Sequence, residues 1–427
     1  MNRILIAVLV IVMVLPVIAS IQLTQPAAAE VLKSDKERIT SPDISTSEQA
    51  LLVEGNSAFA FELYQALKGE EGNLFYSPYS ISLALAMTYT GARGETAEQM
   101  AATLKFMLEQ ERLHPAFNWL DAELAKRGEG AEGKDGEGFR LNIVNAIWGQ
   151  KDYEFLPDFL DVLAENYGAG LRILDFIMET EKSRLAINDW VSDQTEGRIE
   201  DLIPPGAIGA LTRLVLTNAI YFNAAWEYPF DKKMTADGRF YLLDGGQVTV
   251  PMMKQTESFG YTEGQGYQAV ELLYDGGELS MVILLPEDGK FEAFEDGLQA
   301  EQVEDIISGL QLTEVTLTMP KFEFDSEFSL KDTLPEMGMP MAFSSSADFS
   351  GMNGNRELSI SDVLHKAFVA VDEAGTEAAA ATAVIMELTA APEPPVEVTI
   401  DRPFIFLIRD IETGAILFVG RVMNPGA

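Results

Sequence analysis

The chain carries two histidines, His114 and His365, and no cysteine. These counts limit the chemistry its side chains can perform. A thiol nucleophile and a cysteine-ligated metal are excluded outright. A Ser–His–acid triad needs one of the two imidazoles as base and a serine presented on a sharp turn, and no G-x-S-x-G occurs. Neither histidine stands at ligand spacing from another histidine or an aspartate, so no metal site and no cofactor is expected. His365 lies in L-H-K-A-F ahead of a strand, where a hydrogen-bonded structural histidine is the default. On these grounds the chain is not expected to be an enzyme.

The chemistry on offer is conformational, and it lies near the C-terminus. From Asp372 to Pro395 the sequence runs D-E-A-G-T-E-A-A-A-A-T-A-V-I-M-E-L-T-A-A-P-E-P-P. Ala378 to Ala381 are strong helix formers, yet Thr382, Val384 and Ile385 favour a pleated strand. Sorted by parity, the even positions Thr376, Ala378, Ala380, Thr382, Val384, Met386 and Leu388 carry no charge, while the odd set holds Glu377 and Glu387. Extended, the segment would have one face fit for burial and one for water. No proline interrupts 376–391, and Pro392, Pro394 and Pro395 then end any central strand. Gly375 supplies a permissive backbone position just before it. A surface helix or an alanine-rich linker is one reading; a loop in one state and a paired strand in another is the second.

The elements around this stretch suit one large α/β domain or two ordinary ones, given 427 residues and 47% hydrophobic content. Residues 1–29 read as a secretory signal peptide: Arg3, the apolar run Ile4 to Ala19, then the small residues Ala27-Ala28-Ala29. An uncleaved anchor is the alternative, and no later stretch is long and apolar enough to span a membrane. Export with no cysteine leaves packing alone to hold the protein together. Beyond position 29 there are 67 acids against 29 basic residues, a charge near −38. Such a surface excludes nucleic acid and general polyanion binding. Residues 30–48 are polar and aperiodic and read as a mobile tail. Leu51 to Leu67 has helical spacing. Ser77-Pro78 starts a second helix, stopped at Gly91, and Thr96 is placed to cap a third. Arg127 to Gly138 is glycine-rich and charged, an exposed loop rather than a phosphate or calcium loop. Leu141 to Gly149 alternates as a strand, and Ala269 to Pro286 holds two strands around Asp275-Gly276-Gly277.

Several of these stretches together resemble the serpin family. Asn73 to Met100, with F-Y-S-P-Y-S-I, A-L-A-M and G-A-R-G-E-T, follows the family pattern apart from the insertion of Tyr76. N-D-W-V with Thr195, Arg198 and Ile199 is similar to a family segment that usually carries lysine at the Arg198 position. L-V-L-T-N-A-I-Y-F-N-A-A-W-E-Y-P-F matches from Leu214 to Phe230, although Asn223-Ala224 stands where lysine-glycine is common. Met319-Pro320-Lys321-Phe322, Ala347 to Met352 and the terminal D-R-P-F-I-F-L-I-R-D…G-A-I-L-F-V-G-R-V-M-N-P complete it. Glu373 and Gly375 to Thr382 resemble the reactive-loop hinge in its inhibitory form, with Ala374 where a second glutamate is frequent. The resemblance covers about residues 50–425, with no internal boundary.

It implies an α+β serpin domain over 49–427, with a large central mixed β-sheet, further sheets, about nine helices and an exposed reactive loop at about 373–395. It implies a suicide-substrate inhibitor of serine proteases, whose cleaved loop enters the sheet as a new strand while the protease remains acylated. Partners would be the target protease alone, with no nucleic acid and, once the signal is cleaved, no membrane. The protein would act as a secreted monomer. The hinge is Glu373, Gly375, Thr376, Glu377, Ala378, Ala379, Ala380, Ala381 and Thr382. Ser77, Ser80, Asn218 and His365 match a polar cluster beneath the opening sheet, and Trp226 and Lys321 match its top, with Lys321 paired to Glu373. Hinge spacing places the reactive bond at Thr389-Ala390, or alternatively after Leu388, which suits elastase-, subtilisin- or chymotrypsin-like enzymes rather than trypsin-like ones. A non-inhibitory serpin acting as carrier, chaperone or surface-binding protein is the other reading. Four consecutive hinge alanines argue against it.

Overall fold

The computed structural model describes residues 29–128, 140–376 and 394–427. The leader up to residue 28, the glycine-rich segment 129–139 and loop residues 377–393 lie outside that set. Seven strands form a mixed sheet in the order β1 (Glu30–Leu32), β4 (Leu171–Leu174), β3 (Arg140–Gln150), β5 (Leu214–Ala225), β13 (Gly375–Thr376), β12 (Ile360–Asp372) and β11 (Phe322–Ser329). The central strands are apolar on both faces because both are covered. On β5, Leu214, Leu216, Ile220 and Phe222 join the main core. Val215 and Ala219 join a second core with Ile187 and Val191 of the helix α6 (Thr180–Gln194) that crosses the other face. Trp148 closes that second core edge-on to Trp190, with the Arg172 guanidinium 4.2 Å from the Trp190 ring.

A second, nine-stranded sheet runs β14 (Val396–Thr399), β10 (Gln311–Pro320), β7 (Gln247–Gly264), β8 (Tyr267–Leu273), β9 (Leu279–Pro286), β15 (Phe404–Asp410), β16 (Ile416–Val422) and β2 (Leu74–Tyr76), with β6 (Ala236–Tyr241) on β7. All its pairings are antiparallel except that of β10 with β14. β3 covers the alternating stretch 141–149, and β8 and β9 flank the turn at Asp275-Gly276-Gly277, β8 beginning two residues before Ala269.

Eleven α-helices occur among the described residues, against about nine expected. The larger ones are α1 (Thr46–Leu67), α2 (Pro78–Tyr89), α3 (Gly94–Leu104), α4 (Gln110–Leu124) and α5 (Pro157–Tyr167), then α6, α7 (Phe291–Gly297) and α8 (Ala300–Ser308). The last three, α9 (Thr333–Met337), α10 (Pro340–Phe343) and α11 (Ser350–Asn353), have five residues or fewer, too short to show a period in sequence. Ser77 caps α2 as expected, its Oγ accepting from the Ser80 N–H at 3.1 Å. Thr96 does not cap α3. It sits inside the helix, and its hydroxyl accepts from the Asp348 N–H at 2.9 Å, tying α3 to the segment before α11.

The stretch 30–48, read from composition as a mobile tail, is laid on the molecule instead. Glu30–Leu32 adds an antiparallel edge strand to β4. Arg38 donates to Asn118 and Asp121 on α4, and the Ile39 N–H donates to Glu165 O on α5 at 2.8 Å. Ser45 and Glu48 form a reciprocal capping box, so α1 starts earlier than its apolar period. Polar residues here satisfy one another across elements, which aperiodic composition does not reveal. Arg127, placed by sequence in an exposed loop, is also buried, with Nε 2.6 Å from Asp410 Oδ1.

Candidate functional site

Two groups of residues converge on β5 and β12, one beneath their middle and one at their upper end. The lower group joins Ser77, Ser80, Asn218 and His365, all fully buried. Asn218 and His365 face each other in register across the parallel β5–β12 ladder. The Ser77 N–H donates to His365 Nε2 at 3.4 Å, which leaves the imidazole proton on Nδ1, donating to Asn218 Oδ1. The Asn218 amide in turn donates to Ser80 Oγ at 2.5 Å and to Asn145 Oδ1. Burial holds His365 neutral, its pKa lowered to about 3. The cluster joins α2, β3, β5 and β12 through short polar side chains. Such a network can exchange partners when strands separate, whereas interlocked apolar side chains resist.

Asn145 was missed by sequence reasoning. The available signal was a polar residue on the same face of β3 as Ile143 and Ile147, which a merely structural strand would fill with an apolar one.

The upper group sits about 20 Å away along the strand, six residues from Asn218 to Ala224. Lys321 Nζ lies 2.8 Å from Glu373 Oε2, and Thr235 Oγ1 donates to Oε1 at 2.8 Å. Glu373 is almost fully buried; burial raises its pKa, but the hydrogen bonds from Lys321, its own backbone and Thr235 outweigh this and hold it below the usual value. Trp226 donates from Nε1 to Asp372 O at 3.0 Å and from its backbone to Ala374 O at 2.9 Å. Its ring stacks on Tyr274 at 4.7 Å, and the Tyr274 hydroxyl meets Thr376 Oγ1 at 2.8 Å. Tyr274 and Thr235 carried no signal that sequence alone distinguishes from core and surface residues.

The hinge itself is the main departure from expectation. Gly375 and Thr376 are not at the edge of a free loop; they form β13, already lodged between β5 and β12 and antiparallel to both. Facing pairs are Gly375 with Ala225 and Thr376 with Ala224 on β5, and Gly375 with Asp372 and Thr376 with Val371 on β12. Below this point β5 and β12 pair directly, from Ile360 opposite Leu214 to Phe368 opposite Tyr221. Gly375 was read as a place to bend. The structure shows a tighter demand: a Cβ there would stand 2.1 Å from Ala224 O. Thr376 is fully buried on the uncharged face of the segment. Residues Glu377, Ala378, Ala379, Ala380, Ala381 and Thr382 of the expected hinge, and Leu388, Thr389 and Ala390 around the expected reactive bond, lie outside the described residues.

Residues 54–425 match the family described as Serpin (serine protease inhibitor). An uncharacterized serpin-like protein of Thermococcus kodakarensis is 42% identical over 376 residues, covering 88% of this chain and 86% of that one. Human leukocyte elastase inhibitor is 40% identical over 386 residues, covering 88% and 99%. Among solved structures, the thermophilic serpin tengpin in its native state is similar with a TM-score of 0.80 at 29% identity, covering 93% of this chain and all of that one.

Proposed function

The chain belongs to the serpin family, and we propose that it is a suicide-substrate inhibitor of serine proteases that traps its target by inserting the cleaved loop into the seven-stranded sheet. The observation that carries this reading is β13: the first two residues of the segment already occupy the gap between β5 and β12. Continued in the same register, each loop residue faces a β5 residue whose number adds with its own to 600, and a β12 residue whose number adds to 747. Thr382 then arrives level with Asn218 and His365, on the face those side chains share. Its hydroxyl meets the polar cluster as the parallel ladder is replaced by two antiparallel ones, which are slightly more stable per residue. The even-numbered residues become buried, adding apolar burial and a full set of backbone hydrogen bonds.

The chemistry belongs to the protease. Its serine oxygen attacks the Thr389 carbonyl, the Thr389–Ala390 C–N bond breaks, and the proton passes to the departing Ala390 amine. The severed strand is then free to insert, and residues 376–388 span about 43 Å at about 3.3 Å each. The tethered enzyme is carried to the opposite pole before water cleaves the ester. No lysine or arginine lies between Val384 and Ala391, so a trypsin-like pocket would keep an unpaired buried carboxylate. Elastase- or subtilisin-type enzymes fit better, and the similarity to leukocyte elastase inhibitors supports that class. The buried, uncharged Thr376 argues against a carrier that never inserts its loop.

The reading includes export as a monomer, with residues 1–29 as the cleaved signal; Edman sequencing of protein recovered from the medium checks the cleavage after Ala29. Incubation with an elastase-type protease followed by denaturing electrophoresis tests the function. A complex that survives SDS is expected, and cleavage without any such complex would overturn the inhibitory reading.

A further inference from the structure

At the end of the sheet away from the hinge, a cleft of about 590 Å³ opens beside the last residue of β3. Its lining holds four carboxylates, Asp152, Glu154, Asp175 and Glu357, against one ammonium, Lys151. Asp152, Glu154 and Glu357 are exposed and form no ion pair among the described residues. Gln150 borders the cleft while only 2% exposed. Its Nε2 donates to Lys151 O at 3.2 Å and Asp175 Oδ1 at 3.4 Å, but its Oε1 accepts from no group in the described residues. A buried acceptor left without a donor is costly by itself. In a cleft lined by four carboxylates it asks for a cation that brings several N–H groups. No three carboxylates among the described residues stand close enough to hold a metal ion, which favours an organic cation.

The position of the cleft says where that cation comes from. The Gln150 N–H donates to Arg213 O at 2.9 Å, so the cleft adjoins the residues just before β5. In the insertion register Thr389 arrives opposite Leu211, three residues beyond the end of β5, or about 10 Å past the sheet. A protease esterified there lies against this pole. Leu211 and Met178, 89% and 79% exposed, give the same pole an apolar rim. We infer that the cleft receives a lysine or arginine side chain from the surface of the trapped protease, and that this contact lengthens the life of the complex. The inference rests on the inhibitory reading above. A guanidinium has the donors to satisfy Gln150 Oε1 and a neighbouring carboxylate together.

The test compares full-length wild type with an Asp152→Asn/Glu154→Gln/Glu357→Gln variant. Asp152 has a φ of 71°, a left-handed conformation that asparagine tolerates, so the backbone is kept. A control variant carries Glu292→Gln, Glu301→Gln and Glu304→Gln on α7 and α8, with the same loss of charge. Complexes with one elastase-type protease are purified, and the return of protease activity is followed at low and high salt. The cleft variant's complex is expected to decay about three- to tenfold faster at low salt, the three rates converging at high salt. The control should match wild type. Equal decay of all three complexes at low salt overturns the inference while leaving the inhibitory reading intact. Failure of the wild type to form any complex overturns that reading, and this inference with it.

Discussion

Replacing Thr376 with arginine puts the insertion argument at greatest risk. Thr376 is fully buried in β13, opposite Ala224 and Val371, with its hydroxyl 2.8 Å from that of Tyr274. An unpaired guanidinium in that place costs several kcal/mol. Withdrawing Gly375 and Thr376 from the sheet costs less: a few backbone hydrogen bonds and the Tyr274 contact, at about 1 kcal/mol net each. The variant therefore folds with its hinge expelled, and its thermal midpoint falls by only a few degrees. After cleavage, however, the arginine must enter the sheet first. A barrier raised by about 3 kcal/mol slows insertion by roughly 150-fold. Hydrolysis of the ester then outruns insertion, and the protein is consumed as a substrate. The assay is the number of inhibitor molecules used per protease inactivated, read by titration against residual activity. That ratio should rise at least tenfold, with intact-sized complex replaced by cleaved protein on denaturing gels. An unchanged ratio refutes insertion as the trapping step.

Cleavage between Val384 and Ala391 by a non-target protease should raise the thermal midpoint markedly, since insertion completes a strand that the intact fold holds only at its start; calorimetry before and after cleavage decides it. Lys321→Met removes the partner of a buried carboxylate and should cost about 1–2 kcal/mol, lessened by the lysine's partial exposure; denaturant melts and faster proteolysis near Gly375 are the measurements. His114 and His365 are both buried neutral with pKa values lowered to about 3. The unfolded chain protonates both below about pH 6.5 and the folded one does not, so stability is held above that pH and lost as pH falls towards 3. His365→Gln should halve the resulting slope of thermal midpoint against pH; an unchanged slope would place the titration elsewhere. Mass spectrometry of the fragment released from a trapped complex should find a new amino terminus within Thr389 to Ala391, and trypsin should form no complex at all.

What sequence revealed and what it hid divide along physical lines. Alternation in L-N-I-V-N-A-I-W-G and the Ser77-Pro78 cap are local patterns, and β3 and α2 follow them. Parity along 376–388 showed which face suits burial, and Thr376 lies buried on that face. The pairing of Lys321 with Glu373 and the meeting of Ser77, Ser80, Asn218 and His365 came from resemblance, since no local rule brings residues 52 or 288 positions apart together. Composition misjudged 30–48 because Arg38 and Ile39 find partners only on α4 and α5. It likewise misjudged Arg127, whose carboxylate partner Asp410 is 283 residues away. Gly375 was legible as a special backbone position but not as one fixed by contact with Ala224 O.

The two ladders of β12 have very different prospects while the chain folds. Its pairing with β13 closes a turn of a few residues, whereas its pairing with β5 joins positions 147 residues apart, as between Asn218 and His365. Loop-closure entropy favours the short hairpin, and nothing in its register stops it from lengthening downwards before β5 arrives. The restraint lies in the other sheet. Val396 to Thr399 pairs with Val315 to Thr318, so the far end of the segment is held on β10 while its near end sits at Thr376. Four facing pairs of β14 thus stand against a hairpin that could otherwise run the length of β12. On the proposed inhibitory function, a newly made chain is expected to become an armed molecule or a spent one according to which of these two ladders closes first.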